Sequence, residues 1–474
     1  MLRNSHETGE ADAPFSVVPW GNVGEGVYSV GVELRDLATK AYVYGFPLVF
    51  NLDQVRRYTT TGVGANAAAP FNAFSHAADL AGPKDTFVSI NNDTVYSMGQ
   101  LDLTNGPLLL EVPDTAGAYY VLQFVDAWTD NFAYVGKRAT GTAAGRYLLT
   151  PPGWSGQTPA GVRRISCPTG VASIVGRWAC TGEADLPRVR ALQQQLTLTD
   201  VGEQTRPLGL PTPDPNVPEA LAFWEKLRVY LQAYPPAAQD LPLQQAFELL
   251  GLLEWGPSPY AEAEPELTAA LAAGAKTGHD GLVAALRSGA GDAVVNGWHQ
   301  TFHVFDYNDD YFEVGTINSP EWRIDDRSKA IGLRAAAAMA GLWGNHGYEA
   351  AYSPVYLDGD GDELTGERSY TLTFTQTPPV DAFWSITMYD LPEYYLVDNP
   401  IDRYSIGDRT PGLVYGEDGS LTITLSAAEP TDPTARANWL PTPTAGFRPL
   451  LRMYSPRPEV FDGTYEVPPF VKVS

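Results

Sequence analysis

Short runs of aliphatic, β-branched and aromatic residues, separated by turn signals, recur in two separate parts of this 474-residue chain and limit what it can fold into. The first part holds Ala118-Tyr-Tyr-Val-Leu-Gln-Phe-Val125, Asn131-Phe-Ala-Tyr-Val135 and Tyr147-Leu-Leu149, with two more short runs between Ile165 and Trp178. The second holds Tyr370-Thr-Leu-Thr-Phe374, Phe383-Trp-Ser-Ile-Thr-Met-Tyr389, Leu421-Thr-Ile-Thr-Leu425 and Phe447-Arg-Pro-Leu-Leu-Arg-Met-Tyr454. Tyr370-Thr-Leu-Thr-Phe374 alternates, and such a period of two puts alternate side chains on one face of a sheet. Evenly spaced short strands with turn signals then read as packed sheet pairs. The expected fold class is mainly β with a helical insert (α+β): two β-sandwich or jelly-roll-like domains joined by a helical region.

The length exceeds one ordinary core, which agrees with more than one domain. Residues 1–26 read as a polar arm, 27–184 as the first β-sandwich domain, 185–345 as a helical linker or insert, and 346–474 as the second β-sandwich domain. Within the insert, Leu186–Leu196, Ala220–Tyr234, Leu243–Leu253, Pro265–Ala273, Gly281–Ser288 and Ser328–Leu342 carry helical spacing, and residues 204–218 are Pro-rich. Ahead of the first β region, Val32 to Val49 shows apolar residues at helical spacing, with Pro47 and the Asn51 region as its expected end.

Composition excludes several function classes. The formal net charge of −25 opposes binding to nucleic-acid phosphates and to anionic membrane. No apolar run approaches the roughly 18 residues of a membrane-spanning helix. The first residues lack the apolar core of a signal peptide, so the expected location is cytoplasmic. Two cysteines, Cys167 and Cys180, rule out a disulfide framework; two free, buried thiols are the favoured reading, with one optional disulfide as the alternative.

Chemistry concentrates in two polar-aromatic stretches. In Val88-Ser-Ile-Asn91-Asn92-Asp93-Thr94-Val95-Tyr96-Ser97, four hydrogen-bonding side chains interrupt a β-forming run, and they need partners. Asp93 can act as general acid or base, Tyr96 can stack or donate, and Asn91 and Asn92 offer donors and acceptors. The competing reading is a turn in which these side chains satisfy local backbone. The second stretch gathers Trp384, Tyr389, Asn399 and Arg403, with Trp439 and the pair Arg452 and Tyr454 further on. Aromatics beside Arg and Asn suit a small polar ligand or a sugar. They suit inter-sheet packing with Arg capping carbonyls equally well. Trp128 and Arg138 complete the set as a stacking wall and an anion or hydroxyl holder.

His299 and His303 stand four apart, which on a helix is metal-ligand spacing, with Asp306 or His346 as a third ligand. Hydrogen-bonded structural histidines are the competing reading, and no cofactor is expected beyond that divalent metal. Asp358-Gly-Asp-Gly-Asp-Glu363 departs from a calcium-loop pattern and reads as a hairpin tip. Phosphate-loop, dinucleotide-fingerprint, nucleophile-elbow and Cys-x-x-Cys motifs are absent.

The stretches Tyr42-Val-Tyr44-Gly45-Phe-Pro47-Leu48, Asn91-Asn-Asp93-Thr94-Val-Tyr96-Ser97 and Gly136-Lys-Arg138-Ala-Thr140-Gly141 resemble one half of a bacterial two-part family, domain of unknown function 1254. Pro378-Pro-Val-Asp-Ala-Phe-Trp384-Ser-Ile-Thr-Met-Tyr389, Asn399-Pro-Ile-Asp-Arg403-Tyr-Ser, Asp418-Gly-Ser420 and Asn438-Trp-Leu-Pro441 resemble the other half, domain of unknown function 1214. The resemblance spans residues 30–180 and 345–474. It implies two β-sandwich or jelly-roll-like domains with helices between, and a tendency to form homo-oligomers. It supplies no catalytic residues.

The leading functional expectation is a soluble enzyme acting on a small polar or carbohydrate-like metabolite in a cleft between the two domains. Asp93 would be its acid or base, Arg138 or Arg403 its anion or hydroxyl holder, and Trp128 or Trp384 its stacking wall. The alternatives are a non-catalytic ligand-binding or assembly protein, and a metalloenzyme using His299, His303 and His346. All depend on whether the Asp93 and Arg403 stretches line one shared hollow.

Overall fold

A computed structural model of the chain describes residues 30–86, 88–202, 206–288, 293–308 and 310–473. The arm expected at residues 1–26 lies outside the described residues. The fold is α+β, built from two β-sandwich-like units and a helical layer.

The first unit pairs a five-stranded antiparallel sheet with a four-stranded one. In order across the five-stranded sheet run Phe74–His76, Thr94–Asp102, Val171–Ala179, Tyr120–Asp126 and Asn131–Gly136. The other sheet runs Arg163–Ser166, Gly145–Thr150, Leu108–Val112 and Thr197–Asp200. Between them Val95, Leu110, Leu122, Phe124, Leu149 and Ile174 form a core with essentially no exposure. The strand Thr197–Asp200 means that this unit draws on residues beyond 184.

The second unit repeats the plan with two four-stranded sheets. One runs Ala350–Pro354, Phe447–Pro456, Val380–Asp390 and Ser405–Gly407. The other runs Trp439–Pro441, Leu421–Ser426, Tyr370–Phe374 and Val471–Lys472. Leu372, Phe374, Trp384, Ile386, Ile423 and Met453 fill the space between them.

The helical layer joins what the sequence separates. The helix Val30–Thr60 precedes the first unit, yet packs against Pro265–Ser288 and Arg327–Gly341. It runs unbroken through Pro47, where the sequence suggested an end. Proline removes one hydrogen bond and crowds the preceding turn. Burial of the surrounding turns, from Ala41 to Leu52, outweighs that local cost.

The second helical surprise has a packing cause. Pro265–Ser288 is one helix of 24 residues rather than two short ones. Its Gly274 and Gly278 face Val30–Thr60 so closely that a Cβ would stand 2.5 Å from Ala38 Cβ and 2.7 Å from Tyr42 Cδ1. The glycines weaken the helix by about 1 kcal/mol each but allow two backbones to approach.

The two units meet through the outer faces of their sheets. The five-stranded sheet presents Tyr119, Val121 and Tyr134, and these pack with Ala350, Phe383 and Tyr454 of the facing sheet. The Tyr119 ring lies 5.6 Å from both Phe383 and Tyr454. No helix among the described residues is long and apolar enough to cross a membrane.

Candidate functional site

The stretch Val88–Asp93 crosses from one unit onto the other. Ser89 adopts a positive φ of 53°, a conformation in which a non-glycine residue is strained. It thereby offers two acceptors to the facing sheet. Its hydroxyl accepts from Arg448 Nη2 at 2.6 Å, and its carbonyl accepts from Arg452 Nη2 at 2.9 Å. Asn91 then donates to the Tyr454 hydroxyl at 2.7 Å, while its own Oδ1 accepts from the Asp93 amide.

Asp93 is 4% exposed and belongs to both halves. Its Oδ2 accepts from the Ser385 hydroxyl at 2.6 Å and from the Tyr454 hydroxyl at 3.1 Å. Burial, followed by the charge of Asp93, pushes the Tyr454 phenol far above its ordinary pKa, so it stays a donor.

Strand register explains why two arginines face the seam. On the five-stranded sheet Arg177 stands between Tyr96 and Val121. On the opposite sheet Arg452 stands between Tyr352 and Ser385. Arg177 donates to Gln123 Oε1 at 2.7 Å, to Asn345 Oδ1 at 3.3 Å and to the Trp343 carbonyl at 2.7 Å. Arg452 donates to Thr387 Oγ1 and to the Tyr389 hydroxyl, both at 2.7 Å, besides Ser89. The two side chains are 5% and 2% exposed. Burial pulls both guanidinium pKa values down, and the tyrosines around them, together with Asp93 in the case of Arg452, more than offset it, so both remain charged. Tyr96 and Tyr352, by contrast, keep part of their surface accessible.

At the far end of the seam Arg138 pairs with the buried Glu349, which also accepts from the Tyr119 hydroxyl at 2.9 Å. Beside it His346 is enclosed, with its Nδ1 2.9 Å from the Tyr134 hydroxyl and 3.0 Å from that of Tyr348.

Asn91, Asp93, Tyr96, Tyr389 and Arg138 therefore all reach the seam, and Asn92, next to them in the chain, has its Oδ1 buried without a hydrogen-bond partner among the described residues. The other residues chosen from sequence lie elsewhere. Trp128 sits in the helical core and donates to the Tyr234 carbonyl at 3.0 Å. Trp384 fills the second unit's own core, 5.2 Å from Phe374. Asn399 closes its own loop onto the Val397 and Arg403 carbonyls. Arg403 caps the carbonyls of Ala437 and Trp439, at 3.0 and 2.8 Å. Trp439 is buried and donates to the Ser426 carbonyl. No hydrogen bond links Arg403 to Asp93 among the described residues.

The histidine spacing has a different origin from the expected helix. His299 lies on the strand Trp298–Gln300 with its ring edge-on to Tyr356. His303 follows in a turn, bonded through Nδ1 to Asp306 at 2.6 Å and packed on Trp322. Burial and Arg138 hold the His346 pKa down at about 3. Among the described residues no group of three or more His, Cys, Asp or Glu side chains is placed to hold a metal ion. The acidic hairpin at Asp358–Asp362 closes instead on the Lys472 ammonium, with Asp358, Asp360 and Asp362 at 3.2, 3.0 and 2.7 Å. Cys167 and Cys180 are both free and buried.

Sequence reasoning missed Arg177, Glu349, Tyr352 and Ser385. Arg177 did leave a signal: it is the one ionisable residue in the otherwise apolar run Val171–Ala179. An open cleft of about 760 Å³ also went unforeseen. Pro151, Thr169, Leu210, Tyr234 and Tyr311 line it, between the first unit and the helical layer, and no charged side chain is among its lining residues.

Comparison with known proteins agrees with the two-part organisation. The model described as protein of unknown function (DUF1254) matches residues 71–200, and that described as protein of unknown function (DUF1214) matches residues 349–458. No curated protein matches the chain. Among solved structures, the VPA0106 protein from Vibrio parahaemolyticus shares 24% identity at a TM-score of 0.69, over 93% of this chain and 100% of that one. An uncharacterized protein from Burkholderia cenocepacia aligns over 94% of this chain and 95% of its own at 12% identity, with a TM-score of 0.43. The first shares the fold.

Proposed function

We propose that this chain, which belongs to the two-part family joining a DUF1254 half to a DUF1214 half, holds a small polar molecule in the seam between its two sandwich units. Tyr96 from one sheet and Tyr352 from the other would flank it, with Asn91 and Asn92 at the mouth. One observation carries this reading: both tyrosines keep accessible surface next to fully buried arginines, at an interface that is otherwise closely packed. Binding sites commonly combine such aromatic walls with a few fixed polar groups.

Thermal unfolding of the full chain against a panel of neutral polyols and small organic acids tests it. At least one class should raise Tm saturably, and replacing both Tyr96→Phe and Tyr352→Phe should remove the shift. No shift with any class, or a shift that survives the double replacement, contradicts the reading.

Conversion of the bound molecule is a second reading, favoured by one observation. Tyr454 and Ser385 both donate to the Asp93 carboxylate, and Asn91 donates to Tyr454 in turn, so Asp93 can take up a proton from either hydroxyl. Under it, Asp93→Asn retains binding but stops chemical change in the ligand, as mass spectrometry of the recovered molecule would show.

A further inference from the structure

The chain as a whole is acidic, at −25, but its seam is rich in arginine. Arg177, Arg409, Arg448 and Arg452 all reach it, and among the described residues none has a carboxylate within ion-pair distance. The two seam carboxylates are committed elsewhere: Glu349 to Arg138 and Tyr119, Asp93 to Ser385 and Tyr454. A buried charge normally has an opposite charge beside it, because desolvation alone is costly. Here neutral carbonyls, amides and hydroxyls stand in its place.

A second observation points the same way. Arg448 is 8% exposed, and its Nε is buried with no hydrogen-bond partner among the described residues; the same holds for Nη1 of Arg409. Arg448 and Arg452 share both Ser89 and the Tyr389 ring, with their guanidinium carbons 5.1 and 5.6 Å from its centre. Across the seam Arg177 lies 5.4 Å over the Tyr96 ring. Tyr352 bridges the two groups. It is the register partner of Arg452, and its hydroxyl accepts from Asn345 Nδ2 at 3.4 Å, the same Asn345 whose oxygen receives Arg177.

Resting on the seam-binding reading above, we infer that the molecule held there is an oxyanion, a carboxylate or phosphate ester, placed among Arg177, Arg448 and Arg452 beside Tyr352. Guanidinium groups match both chemistries through paired N–H donors. Phenol donors from Tyr96 and Tyr352 would complete the coordination. The ligand would supply a directly bonded negative charge, where Asp93 acts on Arg452 only from beyond ion-pair distance.

Calorimetric titration of the full chain with succinate, with inorganic phosphate and with xylitol, at constant ionic strength, tests this. Succinate or phosphate should bind, and whichever binds identifies the source of the oxyanion. Arg177→Met and Arg452→Met should each weaken it at least tenfold, with Arg177→Lys retaining more affinity than Arg177→Met. Because a methionine variant can fail to fold, the wild type supplies an independent measure: its Tm should rise with the binding anion relative to sodium chloride of equal ionic strength. If xylitol binds and neither anion does, the seam reading stands and the anion inference falls. If nothing binds, both fall.

Discussion

The hydroxyl of Ser385 donates a 2.6 Å hydrogen bond to the carboxylate of Asp93, a residue 292 positions earlier in the chain. That bond, with the one from Tyr454, ties the two sandwich units together at a point closed to bulk water. Removing the acceptor strands two buried hydroxyls, each costing about 1–3 kcal/mol. Asp93→Ala should therefore lower the unfolding free energy by about 2–4 kcal/mol in urea titration. Asp93→Asn keeps an acceptor oxygen and should lose less than half of that. Equal losses for the two would argue against the hydroxyl contacts as the cause.

Arg138 and Glu349 form the other tie, with the carboxylate almost fully buried. Breaking such a pair from one side typically costs about 3–5 kcal/mol, because a charge is left unpaired. Arg138→Met should fall near the lower end, since its guanidinium retains some contact with solvent. Arg138→Met combined with Glu349→Leu should recover much of the loss. A double-mutant cycle measures the coupling, and additive losses would contradict an ion pair at this position.

His346 gives the fold a pH dependence of defined sign. Its folded pKa is held at about 3 by burial, below the ordinary 6.5, so the native ring stays neutral. Between those values the unfolded chain takes up a proton that the folded chain refuses. Stability is present above pH 6.5 and is lost as pH falls, by up to about 1.4 kcal/mol per pH unit. His346→Gln should flatten this limb. His303 acts in the opposite direction: its bond to Asp306 raises its pKa, so its contribution is full in acid and is lost as pH rises through the raised value. Urea titrations from pH 4 to pH 8 separate the two.

Gly274 sets two helix tendencies against each other. Alanine there would favour the helix by about 1 kcal/mol. Its Cβ, however, would stand 2.8 Å from the backbone nitrogen of Thr39, and backbone cannot move aside cheaply. Overpacking of this kind costs about 1–3 kcal/mol or more. Gly274→Ala should thus be net destabilising, and a rise in Tm would overturn the close-approach account.

The strands were the most legible part of the sequence. Tyr370–Phe374 falls where its alternation placed it, because one face is buried and the other is not. The Asn91–Thr94 stretch was also readable as a place needing partners. The identity of those partners was not, because Ser385 and Tyr454 come from the far end of the chain. Period two carried further information on Trp384 and Tyr389. They stand an odd number of positions apart on one strand, so they point to opposite faces, and only Tyr389 meets the seam. Arg403 resembled a ligand group in composition, but its carbonyl partners lie more than thirty positions away. The helix through Pro47 was hidden for a related reason: local propensity argued for a stop, and packing against a distant helix overrode it.

Hydrogen exchange of the full chain, with and without a saturating bound polyol or organic anion, tests the central claim most directly. The account predicts added protection in residues 88–93 and around Tyr352, with none around Thr169 and Tyr311. Protection confined to the cleft at Thr169 and Tyr311, or absent from residues 88–93, would contradict it.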